Sequence, residues 1–89
     1  MEMNMAIIEI YTQAFCPYCS RAVSLLRRKG LPFTEIDAPR GSAARLAAIE
    51  RSGGQTTVPQ IFVDGRSIGG CNELLALDHA GKLDSVLGV

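Results

Sequence analysis

The chain has 89 residues, enough for one domain that buries only about 60–65% of the surface its unfolded form exposes. Nine basic and nine acidic residues cancel, so neither nucleic acid nor an anionic membrane is expected as a main partner. No apolar run reaches the roughly 18 residues of a membrane span, and three cysteines, an odd number, argue against a secreted disulfide scaffold.

Met1 to Ala6 lacks the positive start and apolar stretch of a signal peptide. A reducing cytoplasm is the expected compartment and a monomer the expected state. Ile7 to Tyr11 is a short β-branched run with one charge, Glu9, and predicts a largely buried strand. Thr12 to Phe15 predicts a loop. From Pro17 to Lys29, Ala22, Val23, Leu25 and Leu26 recur at helical spacing. Pro17 suits the first helical turn, where its missing N–H costs nothing. Arg27-Arg28-Lys29 complements the dipole at the helix end, and Gly30 and Pro32 stop it.

Residues 32–37 alternate and predict a second strand, parallel to the first because a helix joins them. Ser42 to Arg51 predicts a second helix, with Ser42 as N-cap and Gly53-Gly54 as terminator. Gln60–Val63 and Arg66–Ile68 predict two strands of a hairpin around Asp64-Gly65. A third helix follows from Asn72 to about Ala80, and Leu83 to Leu87 predicts a last turn. The expected class is α/β, a single domain over 1–89 with a four-stranded mixed sheet flanked by helices, in the order β-α-β-α-β-β-α.

Cys16-Pro17-Tyr18-Cys19 stands at the junction of the first strand and first helix. At helical spacing the two Cα atoms lie about 5 Å apart, within the roughly 4.4–6.8 Å that a disulfide accepts. A C-x-x-C beside a strand–helix–strand pattern marks a thioredoxin-like redox dithiol. The thiolate is the nucleophile. Cys16 falls at the helix start, where free N–H groups and the dipole favour a negative sulfur. Cys19 lies one turn in, with its side chain tilted back toward Cys16. Cys16 is therefore expected to attack and Cys19 to resolve. A zinc site needs about four ligands. Only Cys71 and His79 remain, eight apart, so no metal is expected. His79 near a helix end suits a surface role.

The motifs Cys16–Cys19, Thr57-Val58-Pro59, Gln60 to Gly65 and Ile68-Gly69-Gly70 together resemble the dithiol glutaredoxins, from about Ile7 to Leu87. The resemblance implies a thioredoxin-like fold and glutathione-dependent reduction of protein disulfides and of glutathionylated proteins, with glutathione as co-substrate and no tightly bound cofactor. It implies that Pro59 is cis and faces the dithiol, and that the Val58 backbone pairs with glutathione as an added strand. It implies a glutathione site of Gln13, Tyr18, Thr57, Val58, Pro59, Gly70, Cys71, Asn72 and Glu73. The γ-glutamyl carboxylate would meet the N-terminus of the last long helix, where glycines permit close approach.

Two positions depart from the family pattern. Glu73 replaces the usual Asp, and Gln13 replaces the usual Lys or Arg. The uncharged Gln13 implies weaker glutathione binding and a less acidic Cys16 than a basic residue would give. Cys71 reads either as an inert small residue or as a regulatory thiol. Two other functions are compatible with the sequence: a redoxin reduced by thioredoxin reductase, and a glutathione-ligated iron–sulfur cluster carrier. The C-P-Y-C motif with its second cysteine weighs against the carrier.

Overall fold

The computed structural model describes residues 6–87. The expectations for residues 1–5, including the absence of a signal peptide, lie outside them. Strand β1 (Ile8–Thr12) leads into helix α1 (Pro17–Arg28), strand β2 (Thr34–Asp37) and helix α2 (Ala43–Arg51). The hairpin β3 (Gln60–Val63) and β4 (Arg66–Gly69) follows, then helices α3 (Cys71–His79) and α4 (Leu83–Leu87). The sheet runs β2-β1-β3-β4. β1 is parallel to β2, from Glu9 opposite Thr34 to Thr12 opposite Asp37, and antiparallel to β3, from Ile8 opposite Val63 to Tyr11 opposite Gln60. The mixed sheet and the element order are as the sequence predicts. No helix among the described residues is long and apolar enough to cross a membrane.

Successive strand residues point to opposite faces. Ile8 and Ile10 of β1 join Ile61 and Val63 of β3 on one face, packed under Ala22, Leu25, Leu26, Leu74 and Leu83 from α1, α3 and the chain beyond. Tyr11 and Phe62 point the other way and pack with Ala38 and Ala48 of the α2 side, their rings edge to face at 5.5 Å. Glu9 shares this second face. Its carboxylate pairs with Arg51 at 2.8 Å, and the same guanidinium donates to the Tyr11 hydroxyl at 2.7 Å and stacks over Phe62. That explains one charge inside an apolar strand.

Several boundaries shift by a residue or two. Ile7 is largely exposed and precedes β1; its N–H donates to Asp64 Oδ1. Thr12, expected in a loop, ends β1 because its carbonyl accepts the Ala38 N–H at 2.7 Å. Pro32 and Phe33 precede β2, since proline has no N–H for a ladder. Lys29 is the C-cap of α1 and reaches Asp78 and Asp84 at 3.2 and 2.7 Å, joining α1 to the ends of α3 and α4. α3 begins at Cys71, not Asn72, with Gly70 as N-cap. At the hairpin tip Asp64 and Gly65 have φ of 52° and 81°, the two left-handed residues of a type I′ turn.

Arg45 was not singled out by the sequence, yet it holds the loops around the dithiol in place. Only 7% of it is exposed. Its guanidinium donates to the Ala38 carbonyl and to Gln13 Oε1, each at 2.8 Å, and twice to the Thr56 carbonyl, at 3.1 and 3.3 Å. It therefore ties the loop before α1, the end of β2 and the loop before β3 to one side chain. Replacing it by Met keeps the stem but leaves the buried Ala38 carbonyl and the part-buried Thr56 carbonyl without their donor. Arg45→Met is expected to cost about 2–4 kcal/mol, read as a lower urea midpoint at an unchanged denaturant slope.

Candidate active site

The α1 N-terminus is built by three adjacent residues. Phe15 takes φ +58° and turns the chain out of the sheet; its ring is fully exposed. Cys16 is the N-cap, with extended backbone, and Pro17 occupies the first helical turn. The Cys16 sulfur sits where a capping oxygen usually sits and accepts the Cys19 N–H at 3.1 Å. All three cysteines are unpaired. Cys16 is partly exposed, while Cys19 and Cys71 are buried.

Burial separates the thiols further. It pushes the Cys19 thiol up to about 12, helped by its bond to Cys16 and by the charges of Cys16 and Glu35, against the Gln13 backbone. Burial also raises Cys71, with Arg21 acting the other way. Cys19 and Cys71 thus stay neutral at physiological pH. Lone-pair acceptance from the Cys19 N–H is available to Cys16 in its charged form as well.

The Cys16 sulfur faces the Val58 carbonyl at 4.0 Å. The Val58–Pro59 bond is cis, as the resemblance implies. Buried Gln60 steadies the bend by donating Nε2 to the Thr57 carbonyl and hydroxyl at 3.0 and 3.3 Å. Across the groove, a Cβ on Gly70 would lie 3.0 Å from the Pro59 carbonyl oxygen, so the close approach of α3 to the bend needs glycine there. Gly69, at φ +100°, leaves room for the Glu73 side chain, which a Cβ would meet at 2.7 Å.

A groove of about 280 Å³ gathers eight of the nine residues implied for glutathione: Tyr18, Thr57, Val58, Pro59, Gly70, Cys71, Asn72 and Glu73. Tyr18 is half-exposed at its rim, with the Arg21 guanidinium 5.8 Å from the ring centre. Glu73 is already engaged: its Oε1 accepts the Gly70 N–H at 2.8 Å, one half of a capping box. The ninth residue, Gln13, lies apart. It lines an adjoining cleft of about 530 Å³ with Cys16, Arg40, Arg45, Thr57 and Val58. The two hollows meet at Thr57-Val58, beside the sulfur.

The missing charge at position 13 has a counterpart. Gln13 leans on the Arg45 guanidinium, which no carboxylate neutralises among the described residues. Sequence reasoning overlooked Arg45, and also Gln55 and Gln60, which line the groove. A signal for Arg45 was present. Helical spacing puts it on the face of Ala48 and Ile49, so a basic residue on that face required polar partners.

Comparison with known proteins gives one consistent answer. The family model described as Glutaredoxin matches residues 8–68. Glutaredoxin 3 of Escherichia coli (strain K12) is 53% identical over 83 residues, which span 93% of this chain and 99% of that one. The solution structure of glutaredoxin from Brucella melitensis superposes with a TM-score of 0.81 at 50% identity, over 94% of this chain and 90% of that chain. The crystal structure of a buckwheat glutaredoxin–glutathione complex gives 0.80 at 30% identity, over 92% and 76%. By these likenesses the chain belongs to the glutaredoxin family and is a glutathione-dependent thiol–disulfide oxidoreductase.

Proposed function

We propose that Cys16 is the nucleophile, that Cys19 is the resolving thiol, and that glutathione lies in the groove between Tyr18, the Val58–Pro59 bend and the α3 N-terminus. The observation that carries this reading is the position of the Cys16 sulfur, at the N-cap of α1 and facing Val58. An ionised sulfur there gains a backbone N–H donor and the positive end of the dipole. The cis bend leaves the Val58 backbone available to an extended peptide, which pairs with it as a short strand.

The glutathione ends divide between the two hollows. The γ-glutamyl carboxylate meets the N-terminus of α3, where Gly70 and Asn72 open the approach. Glu73, held by the Gly70 N–H, keeps its second oxygen for the ligand amine. The glycine carboxylate enters the Gln13 cleft, where Arg40 and Arg45 supply the positive charge that Gln13 lacks.

With a glutathionylated client, the Cys16 thiolate attacks the glutathione sulfur and the client leaves as its thiolate. A second glutathione thiolate then attacks that mixed disulfide and restores Cys16, releasing glutathione disulfide. With a protein disulfide, Cys16 forms a mixed disulfide with the client. Cys19 displaces the client and closes the Cys16–Cys19 bond, which two glutathiones reopen. The direction follows the redox poise of the surroundings.

Iodoacetamide at pH 7 is expected to label Cys16 well before Cys19, whose thiol is buried and neutral; mass mapping reads the order, and Cys19 first would reject the assignment. Cys19→Ser is expected to keep turnover of a glutathionylated substrate and lose that of a protein disulfide, in parallel assays with glutathione reductase. Gln13→Lys is expected to lower the glutathione KM by about two- to fivefold. The same change removes the acceptor of Arg45 and sets a like charge beside it. Thermal stability therefore falls while binding improves, which a KM and a melting curve on one sample will read.

A further inference from the structure

A second cleft, of about 570 Å³, opens beside the dithiol and shares no lining residue with the groove. Cys16, Cys19, Gln13, Arg27 and Glu35 line it. Glu35 is its one carboxylate among the described residues. The parallel register places Glu35 on β2 opposite Ile10 of β1. Thr12, 5% exposed at the end of β1, donates its hydroxyl to Glu35 Oε2 at 2.8 Å. The carboxylate is thus held at the cleft, with Oε1 uncommitted among the described residues, in a place that water reaches.

We infer that Glu35 accepts the proton of Cys19, through a cleft water, when that thiol closes the Cys16–Cys19 disulfide. The inference rests on the dithiol roles given above. Closure needs an acceptor. Burial, the largest cause of the raised Cys19 thiol, persists in the mixed disulfide, so only a small fraction of that thiol is ionised at pH 7. Waiting for that fraction is slow; a positioned base that takes the proton as the bond forms avoids the wait. In the step, the Cys19 sulfur attacks Cys16 of the mixed disulfide. The bond from Cys16 to the client sulfur breaks, and its electron pair leaves with the client thiolate. The proton passes from Cys19 to Glu35 and on to the departing thiolate or to solvent. Cys19 is oxidised and the client sulfur reduced.

The charges around this site are few. Arg27 of α1 lines the same cleft, Asp37 stands two residues along β2 in an adjoining hollow, and Cys16 faces Cys19 directly. Thr12 is the positioning residue. The charge of Glu35 by itself works against closure, because it disfavours the Cys19 thiolate. A purely electrostatic Glu35 and a proton-accepting one therefore predict opposite effects on removal.

The test is single-turnover closure in the full chain. Reduced protein is mixed with the disulfide of glutathione and thionitrobenzoate; thionitrobenzoate release marks loading, and acid-quenched mass spectrometry marks loss of glutathione on closure. Wild type is expected to close at a level rate from about pH 6 to 9. Glu35→Gln is expected to close at least about tenfold more slowly at pH 7, with a rate that climbs about tenfold per pH unit as free thiolate takes over. Glu35→Asp restores part of the rate. Thr12→Val falls between Gln and wild type with a level profile. Glu35→Gln closing as fast as wild type, or faster, overturns the role of Glu35 and leaves the dithiol roles standing. Loading at Cys19 in place of Cys16 overturns the dithiol roles themselves.

Discussion

A sulfur atom occupies the position where a helix ordinarily takes a serine or aspartate oxygen. Cys16 caps α1, and the N–H it accepts is that of Cys19, the other half of the dithiol. The capping requirement of the helix and the chemical requirement of the site are met by the same contact. Pro17 makes this workable, because it opens the helix without a donor that would compete for the sulfur. The rest of the molecule can be read as the support for that contact. α1 is pinned by Ala22, Val23 and Leu26 against the sheet, and β1 delivers the chain to Phe15, whose backbone makes the turn.

Two further groups of interactions shape the surroundings of the sulfur. Gly70 lets α3 approach the Pro59 carbonyl, and Gln60 braces Thr57, so the bend and the α3 N-terminus form the walls of one groove. Arg45 does the corresponding work beneath the other hollow. It is a buried cation satisfied by two carbonyls and an amide oxygen, with no carboxylate paired to it among the described residues. Such a charge is costly to bury without hydrogen bonds, and four of them hold it. Its cation lines the same cleft as Cys16, the sulfur proposed to react as an anion.

Much of this was legible from residue order because each feature has a local cause. Pro17 fits only the start of a helix, Asp64-Gly65 accepts a left-handed pair that few dipeptides accept, and Ser42 caps α2 as a serine should. The spacing of the dithiol, and the order of reactivity proposed for it, rest on helix geometry alone. The cis bond at Pro59 came from family resemblance, since sequence by itself offers only the general trans preference. What stayed hidden is tertiary. Arg45 meets acceptors at positions 13, 38 and 56, and Glu35 meets Thr12 across a strand pair. No local pattern encodes those meetings. The strand ends moved for a similar reason: Thr12 is ordered by Ala38, far along the chain.

Phe15 stands clear of the protein, one residue from the Cys16 sulfur. Reactants of different size therefore encounter different landscapes. On the proposed reading, a tripeptide lies in the groove between Tyr18 and the bend, whose lining does not include that ring. On the same reading, a folded client that brings its own disulfide to Cys16 lies across it, withdrawing up to roughly 2 kcal/mol worth of apolar area from water. The dwell time of large partners is thus adjustable at a side chain that forms and breaks no bond, independently of how the small thiol is held.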